Sequence, residues 1–261
     1  MSAISLYARP SPDFAQKLAR SLALVKSAGA TYSPLTQASS LGAEDVVVTH
    51  LLHETGIDAN IFVLDTGMLH PQTMALIGRI EARYARKIDV YQPDADVADA
   101  FVRTNGSDAM YKSLDLRKQC CHFRKMEPLE RALVGKKGWL TGLRREQSVA
   151  RAEVHDIEEQ PERAKINPLA DWTQGDVWHC ISVNAIPYNP LHDQFFPSIG
   201  CAPCTRAVTM GEDFRSGRWW WENESAKECG LHVAADCTHE AQEPAAFEPL
   251  SSIIPIREIT A

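Results

Sequence analysis

Ile61-Phe62-Val63-Leu64-Asp65-Thr66-Gly67 runs from four apolar residues straight into a polar turn. An apolar run this short, bounded by turn residues, suits a strand buried on both faces, as in a parallel sheet. Leu69-His70-Pro71 follows, and a helix is predicted over Gln72 to Arg86. A strand at Ile88 to Tyr91 and a helix from Asp94 to Val102 continue the alternation. That pattern predicts an α/β fold with a doubly wound, mostly parallel sheet. Ligands of such sheets gather at the carboxyl ends of the strands. Leu64, Asp65 and Thr66 are therefore expected to touch a nucleotide, although Asp65 could equally cap its own loop.

Upstream, residues 11 to 28 read as an amphipathic helix, with Phe14, Leu18, Leu22 and Val25 at helical spacing and Gly29 to end it. Tyr32 to Ala38 reads as a strand. It enters Ser39-Ser40-Leu41-Gly42-Ala43-Glu44-Asp45 and a helix from Asp45 to Glu54, closed by Gly56. A small-residue turn between strand and helix offers free amides and the positive helix end to an anion, which makes Ser39, Ser40 and Gly42 candidate binding residues, although such a turn is more often only a connection. Neither GxxxxGK[ST] nor GxGxxG occurs.

Downstream, one helix is expected from about Leu116 to Leu133, and a strand at Trp139-Leu140-Thr141. Arg144, Arg145 and Arg151 follow that strand and resemble a clamp for phosphate or sulfate, since guanidinium binds such groups through paired donors. Residues 155 to 163 read as an exposed acidic loop, Lys165 to Leu169 as a strand, and a helix capped by Thr173 runs to Val183. Cys180 inside it reads as a buried small hydrophobe. Beyond Cys204 periodicity fades, although Arg215 and Arg218 add cations. The expected division is a nucleotide-binding domain over 1–209 and a mobile, mostly irregular tail over 210–261.

The chain has 261 residues, 44% apolar and 23% charged, and a net charge of −7. An acidic balance argues against nucleic acid and acidic membranes as partners. There is no secretory signal pattern and no apolar run near the roughly 18 residues of a membrane span. A cytoplasmic location is expected, where stable disulfides are rare. Seven cysteines there suggest metal or redox chemistry. A homo-oligomer stays open.

Cys120-Cys121 and Cys201-Ala202-Pro203-Cys204 supply four thiols. Four thiolates hold either zinc or an iron–sulfur cluster. Consecutive helical side chains diverge by about 100°, which is awkward for one ion and easier for the separate corner irons of a [4Fe-4S] cubane. The cubane is preferred, with zinc kept open. Cys229 lies between Lys227 and His232, whose charges favour the thiolate, so it is the expected nucleophile.

Taken jointly, these pieces resemble the assimilatory adenylyl-sulfate (APS) reductases of the wider phosphoadenylyl-sulfate (PAPS) reductase family. The matching motifs are Ser39 to Asp45, Leu64-Asp65-Thr66-Gly67, Cys120-Cys121 with Arg124-Lys125, Thr141 to Arg145, Asn167 to Trp172, Pro187 to His192, Cys201 to Cys204, and Lys227 to His232. The resemblance implies an adenine nucleotide α-hydrolase-like fold and a [4Fe-4S] cluster on Cys120, Cys121, Cys201 and Cys204. It also implies Cys229 as nucleophile and a thioredoxin, or a glutaredoxin-like protein, as reductant. Adenosine 5′-phosphosulfate is the expected substrate, with Lys125, Arg144, Arg151, Arg215 and Arg218 on its phosphosulfate and His232 in the substrate site. The alternatives are a PAPS or dual-specificity reductase and, from another class, a zinc-stabilised nucleotide-binding module. A tRNA-modifying ATP pyrophosphatase is disfavoured, because the SGGxDS loop pattern is lost.

Overall fold

The computed structural model describes residues 2–223. Helices α1 (Ala3–Tyr7) and α2 (Phe14–Thr31) precede strand β1 (Leu35–Ser39). Then come α3 (Ala43–Thr55), β2 (Ala59–Leu64), α4 (Pro71–Tyr84), β3 (Ile88–Tyr91) and α5 (Ala95–Asn105). α6 (Ala109–Lys112) and α7 (Leu114–Cys121) lead into a π-helical turn, His122–Met126, and α8 (Glu127–Leu133). β4 (Gly138–Leu140), β5 (Ile157–Glu159), β6 (Ala164–Ile166) and α9 (Gln174–Val183) complete the framework.

The apolar run around Ile61 lies inside the sheet, as its composition requires: Ile61, Phe62 and Val63 are buried. The sheet has six strands in the order β3-β2-β1-β4-β6-β5. All neighbours are parallel except the β5–β6 pair at the edge. From β1 the chain winds outward through β2 and β3, then returns to the other side of β1 with β4. The reversal opens a crevice above the carboxyl ends of β1 and β4, where ligands of doubly wound sheets bind.

Helix α3 starts at that crevice, which its first turn lines. Glu44 and Asp45 sit in its first turn, where the helix dipole favours negative charge. Gly56 ends it in the left-handed region at φ 66°, a conformation without steric cost for glycine. Val46, Val47, Val48, Leu51 and Leu52 are all fully buried, so this helix is apolar around most of its circumference and lies within the main core.

Several boundaries differ from the sequence expectation. Gly29 does not end α2, which continues to Thr31; a Cβ there would stand 2.7 Å from the Ile57 side chain, so the glycine serves close packing. The first strand starts at Leu35, beyond Pro34, and the strand expected over Lys165 to Leu169 is Ala164–Ile166. The acidic stretch 155 to 163 contains β5, whose Glu158 pairs with the buried Lys165 of the neighbouring strand. The single helix expected from Leu116 to Leu133 is broken by the π-helical turn. Pro128 has no amide to donate to Arg124, and its ring would crowd that carbonyl in a continuous α-helix.

Residues 214–222, assigned to an irregular tail, are irregular but packed. Trp219 is 1% exposed and shares a second apolar cluster with Met110, Cys120, Cys201 and Cys204. Arg206 and Trp219 amides donate to Gly217 and Cys204 carbonyls, tying the segment to the cysteine loop. Among the described residues no helix is long and apolar enough to cross a membrane.

Candidate functional site

A cavity of about 210 Å³ opens at the crevice between β1 and β4. Its walls come from the strand ends that the winding brings there: Ser39 and Ser40 at the end of β1, Leu64 and Thr66 at the end of β2, Thr141 and Gly142 just after β4. Gly142 has to be glycine for a packing reason. A Cβ would stand 2.5 Å from Asp45 Oδ1 and 2.7 Å from Glu44 Cβ, so its absence lets the β4 turn lie against the first turn of α3.

The loop Ser39–Asp45 is held by its own acid. Asp45 Oδ2 accepts from both the Ser40 amide and Ser40 Oγ at 2.6 Å. Burial pushes the Asp45 carboxyl up to about 6, against the Ser40 hydrogen bonds that favour the charged form. For Glu44, burial is the largest influence and acts to raise the value, but the Arg144 charge and the hydrogen bonds from Gln147, Arg144 and the backbone together outweigh it, and the carboxyl lies below its usual range. Ser39, Ser40 and Gly42 reach the cavity as expected.

The expected cations divide into two sets. Lys125, Arg151, Arg215 and Arg218 line the cavity. They come from the π-helical turn, from the loop after β4 and from the segment after the cysteine loop. The π-helical turn shapes the first of these: Arg124 Nη1 donates to the Thr66 carbonyl at 2.7 Å, while Lys125 takes the cavity side. Arg151 Nη1 donates to Gln147 Oε1 at 2.6 Å, and Gln147 Nε2 donates to the Gly142 carbonyl at 3.3 Å.

Arg144 is not in this set. Its guanidinium is buried and donates to Glu44 Oε1 at 3.0 and 2.9 Å, to Glu146 Oε2 at 2.9 Å and to the Trp172 carbonyl at 3.2 Å. A mostly buried carboxylate on α3 requires a counter-ion, and Arg144 supplies it instead of facing a ligand. Arg145 likewise turns away, donating to the Val154 carbonyl and pairing with Asp156 and Asp171. Asp65 also leaves the expected set. Its carboxylate accepts from the Gly67 amide at 2.9 Å and Gln92 Nε2 at 2.8 Å, so it caps its own loop and does not line the cavity.

Among the lining residues that the expected site omits are Glu44, Asp45, Gln147 and His192. All lie in or beside motifs quoted above, but neither spacing nor charge separated them from their neighbours. His192 is 4% exposed, and burial lowers its value. Its Nδ1 donates to the Phe196 carbonyl at 2.8 Å. Cys229 and His232 lie outside the described residues.

Three of the four paired thiols meet. Cys120, at the end of α7, shares an apolar pocket with Cys201 and Cys204. Thr66 Oγ1 is 3.2 Å from Cys201 Sγ. Burial pushes Cys204 up to about 12, and neighbouring Cys201 adds to the rise; burial likewise raises Cys120. Cys121 is half-buried and beside Arg117. This donor set fits a thiolate-bound group: an apolar pocket that disfavours lone thiolates, several sulfurs, and cations nearby. Among the described residues no three His, Cys, Asp or Glu side chains are arranged about a single metal ion.

Residues 34–207 match the phosphoadenosine phosphosulfate reductase domain family. The adenosine 5′-phosphosulfate reductase of Burkholderia cepacia is 49% identical over 224 residues, 85% of this chain and 90% of that relative. The crystal structure of phosphoadenylyl-sulfate reductase from Candida auris, a phosphate complex, matches with a TM-score of 0.61 at 28% identity, over 72% of this chain and 90% of that one. The FMN adenylyltransferase of Candida glabrata shares the fold, with a TM-score of 0.53 at 14% identity over 87% and 81% of the two chains. The adenine nucleotide α-hydrolase-like expectation therefore holds. The matched span contains the Ser39–Asp45 loop, the Lys125 turn and all four paired cysteines, and the chain belongs to the phosphoadenosine phosphosulfate reductase family.

Proposed function

We propose that this chain reduces adenosine 5′-phosphosulfate to sulfite and AMP, with a thioredoxin-type dithiol as electron donor and Cys229 as nucleophile. The observation that carries this reading is the convergence of Lys125, Arg151, Arg215 and Arg218, in an acidic protein, on a cavity at the sheet's switch point. The relatives' names add the substrate class.

The adenosine lies over the strand ends near Ser39 to Gly42 and Leu64 to Thr66. The cations offset repulsion between thiolate and sulfate and stabilise charge on the leaving phosphate. Cys229 thiolate bonds to the sulfate sulfur as the sulfur–oxygen bond to phosphate breaks, releasing AMP and leaving an S-sulfocysteine. One thiolate of the reductant then attacks Cys229 Sγ, and sulfite leaves with the bonding electron pair. The reductant's second thiol resolves the mixed disulfide. The dithiol is thereby oxidised to a disulfide, and Cys229 is restored.

Cys120, Cys121, Cys201 and Cys204 would hold a [4Fe-4S] cluster. Its contribution would be electrostatic, since the reducing electrons come from the dithiol. Lys125 lines the cavity, and its charge also acts on Cys120 and Cys204.

A second reading, PAPS or dual specificity, is favoured by the Candida auris match. Sulfite release decides between them, using anaerobically purified protein, thioredoxin and either nucleotide. A strong preference for APS is expected, and comparable rates would make the enzyme dual. Cys229→Ser should bind nucleotide and form no ³⁵S-labelled adduct. Sulfite production by that variant at the unsubstituted rate would overturn the mechanism.

A further inference from the structure

Arg218 is held in the cavity wall in an unusual way. Among the described residues its side chain makes no hydrogen bond or ion pair, and its buried Nε has no partner. Contact holds it instead. Its guanidinium carbon lies 4.5 Å from the Trp219 ring centroid. Gly200 lies against the same group, for a Cβ there would stand 2.4 Å from Nη2. The donors of the fork are thus left for a ligand.

Trp219 carries a second cation. The Arg117 guanidinium lies 4.8 Å from the same ring. Arg117 belongs to α7, the helix that ends in Cys120-Cys121. Glu222 grips it through both oxygens: Nε donates to Oε1 at 2.9 Å and Nη2 to Oε2 at 2.8 Å, with the two side chains 2% and 7% exposed. The Glu222 amide donates to the Trp219 carbonyl at 2.8 Å, closing a turn around a tryptophan whose φ is +42°. Two cations at one ring compete for its negative face and repel each other. A buried carboxylate on one of them weakens both effects.

We propose that the Arg117–Glu222 pair is the positioning device for Arg218, acting through Trp219, and that Arg218 so held meets the sulfate end of the nucleotide. This rests on the functional reading above. Neither Arg117 nor Glu222 lines the cavity, so both act indirectly. The bidentate pair fixes Trp219 to the cysteine-pair helix, and the ring fixes the plane in which the Arg218 fork presents its donors.

The test uses full-length, metal-loaded protein under anaerobic conditions and calorimetric titration with APS and with AMP, which lacks the sulfate. Glu222→Gln keeps the shape and removes the charge. It should weaken APS about tenfold and AMP less than about twofold, a size typical of coupling between residues in contact. Glu222→Asp should recover part of the loss. In the double variant with Arg218→Ala, Glu222→Gln should add nothing. Equal weakening of both nucleotides, or losses that multiply in the double variant, would show a merely structural role and overturn the assignment. Should Glu222→Gln not fold, Arg117→Lys, which keeps the charge but loses the fork, gives the same readout. Unsubstituted protein that binds neither nucleotide overturns the functional reading, and this assignment with it.

Discussion

Arg144 and Arg151 leave the same loop and carry the same charge, yet only one faces the cavity. Arg144 is consumed by Glu44. Arg144→Ala would leave a mostly buried carboxylate without its partner, at a cost of about 3 kcal/mol, read as a lower urea midpoint at neutral pH. The pH dependence has a definite sign. Glu44 lies below its ordinary 4.5 in the folded protein, so its pairing contributes fully above 4.5 and is lost as pH falls through the lower folded value. The gap between Arg144→Ala and unsubstituted protein should therefore narrow in acid. An equal gap at all pH values would mean that Glu44 is not the group involved. Arg144 and Arg151 were legible as cations, but their division was not. Which guanidinium meets a carboxylate depends on a contact between Arg144 and Glu44 across the fold.

Among the elements, the turn after β4 and the first turn of α3 form the tightest junction in the site. Gly142→Ala would drive a methyl group into Asp45 Oδ1 and Glu44 Cβ. Because the Asp45 amide is also within 3.1 Å, side-chain rotation alone does not relieve the clash. A loss of about 1–3 kcal/mol is expected, together with weakened nucleotide binding in the same titration. Unchanged binding would show that the two turns can separate freely. The alternation of strands and helices was readable because buried apolar runs and caps are local signals. Thr173, for instance, caps α9 in a reciprocal box with Asp176. The π-helical turn was not read, although Pro128 marks its place. A proline shows where an α-helix must yield, but whether it kinks, ends or widens depends on what packs beside it.

For the whole molecule, the described fold brings together segments that lie far apart in sequence. Cys120 and the Cys201–Cys204 loop share one pocket, and the 214–222 segment closes over it. If the thiols jointly hold a cluster, Cys204→Ser should lose iron and acid-labile sulfide together, measured on anaerobic protein. It should also loosen the Trp219 packing, seen as a shift of tryptophan fluorescence. Zinc in stoichiometric amount, with no iron, would remove the cluster assignment. The sequence by itself determined the mostly parallel α/β class and the place of the small-residue loop after the first strand, because each is written in adjacent residues and their period. Only the tertiary structure decided that Asp65 caps a loop, that Arg144 neutralises Glu44, and that Trp219 is core rather than tail. Those outcomes depend on which charges and apolar faces meet across the sheet. Burial makes every such meeting costly to leave unpaired, and no local pattern specifies the partner.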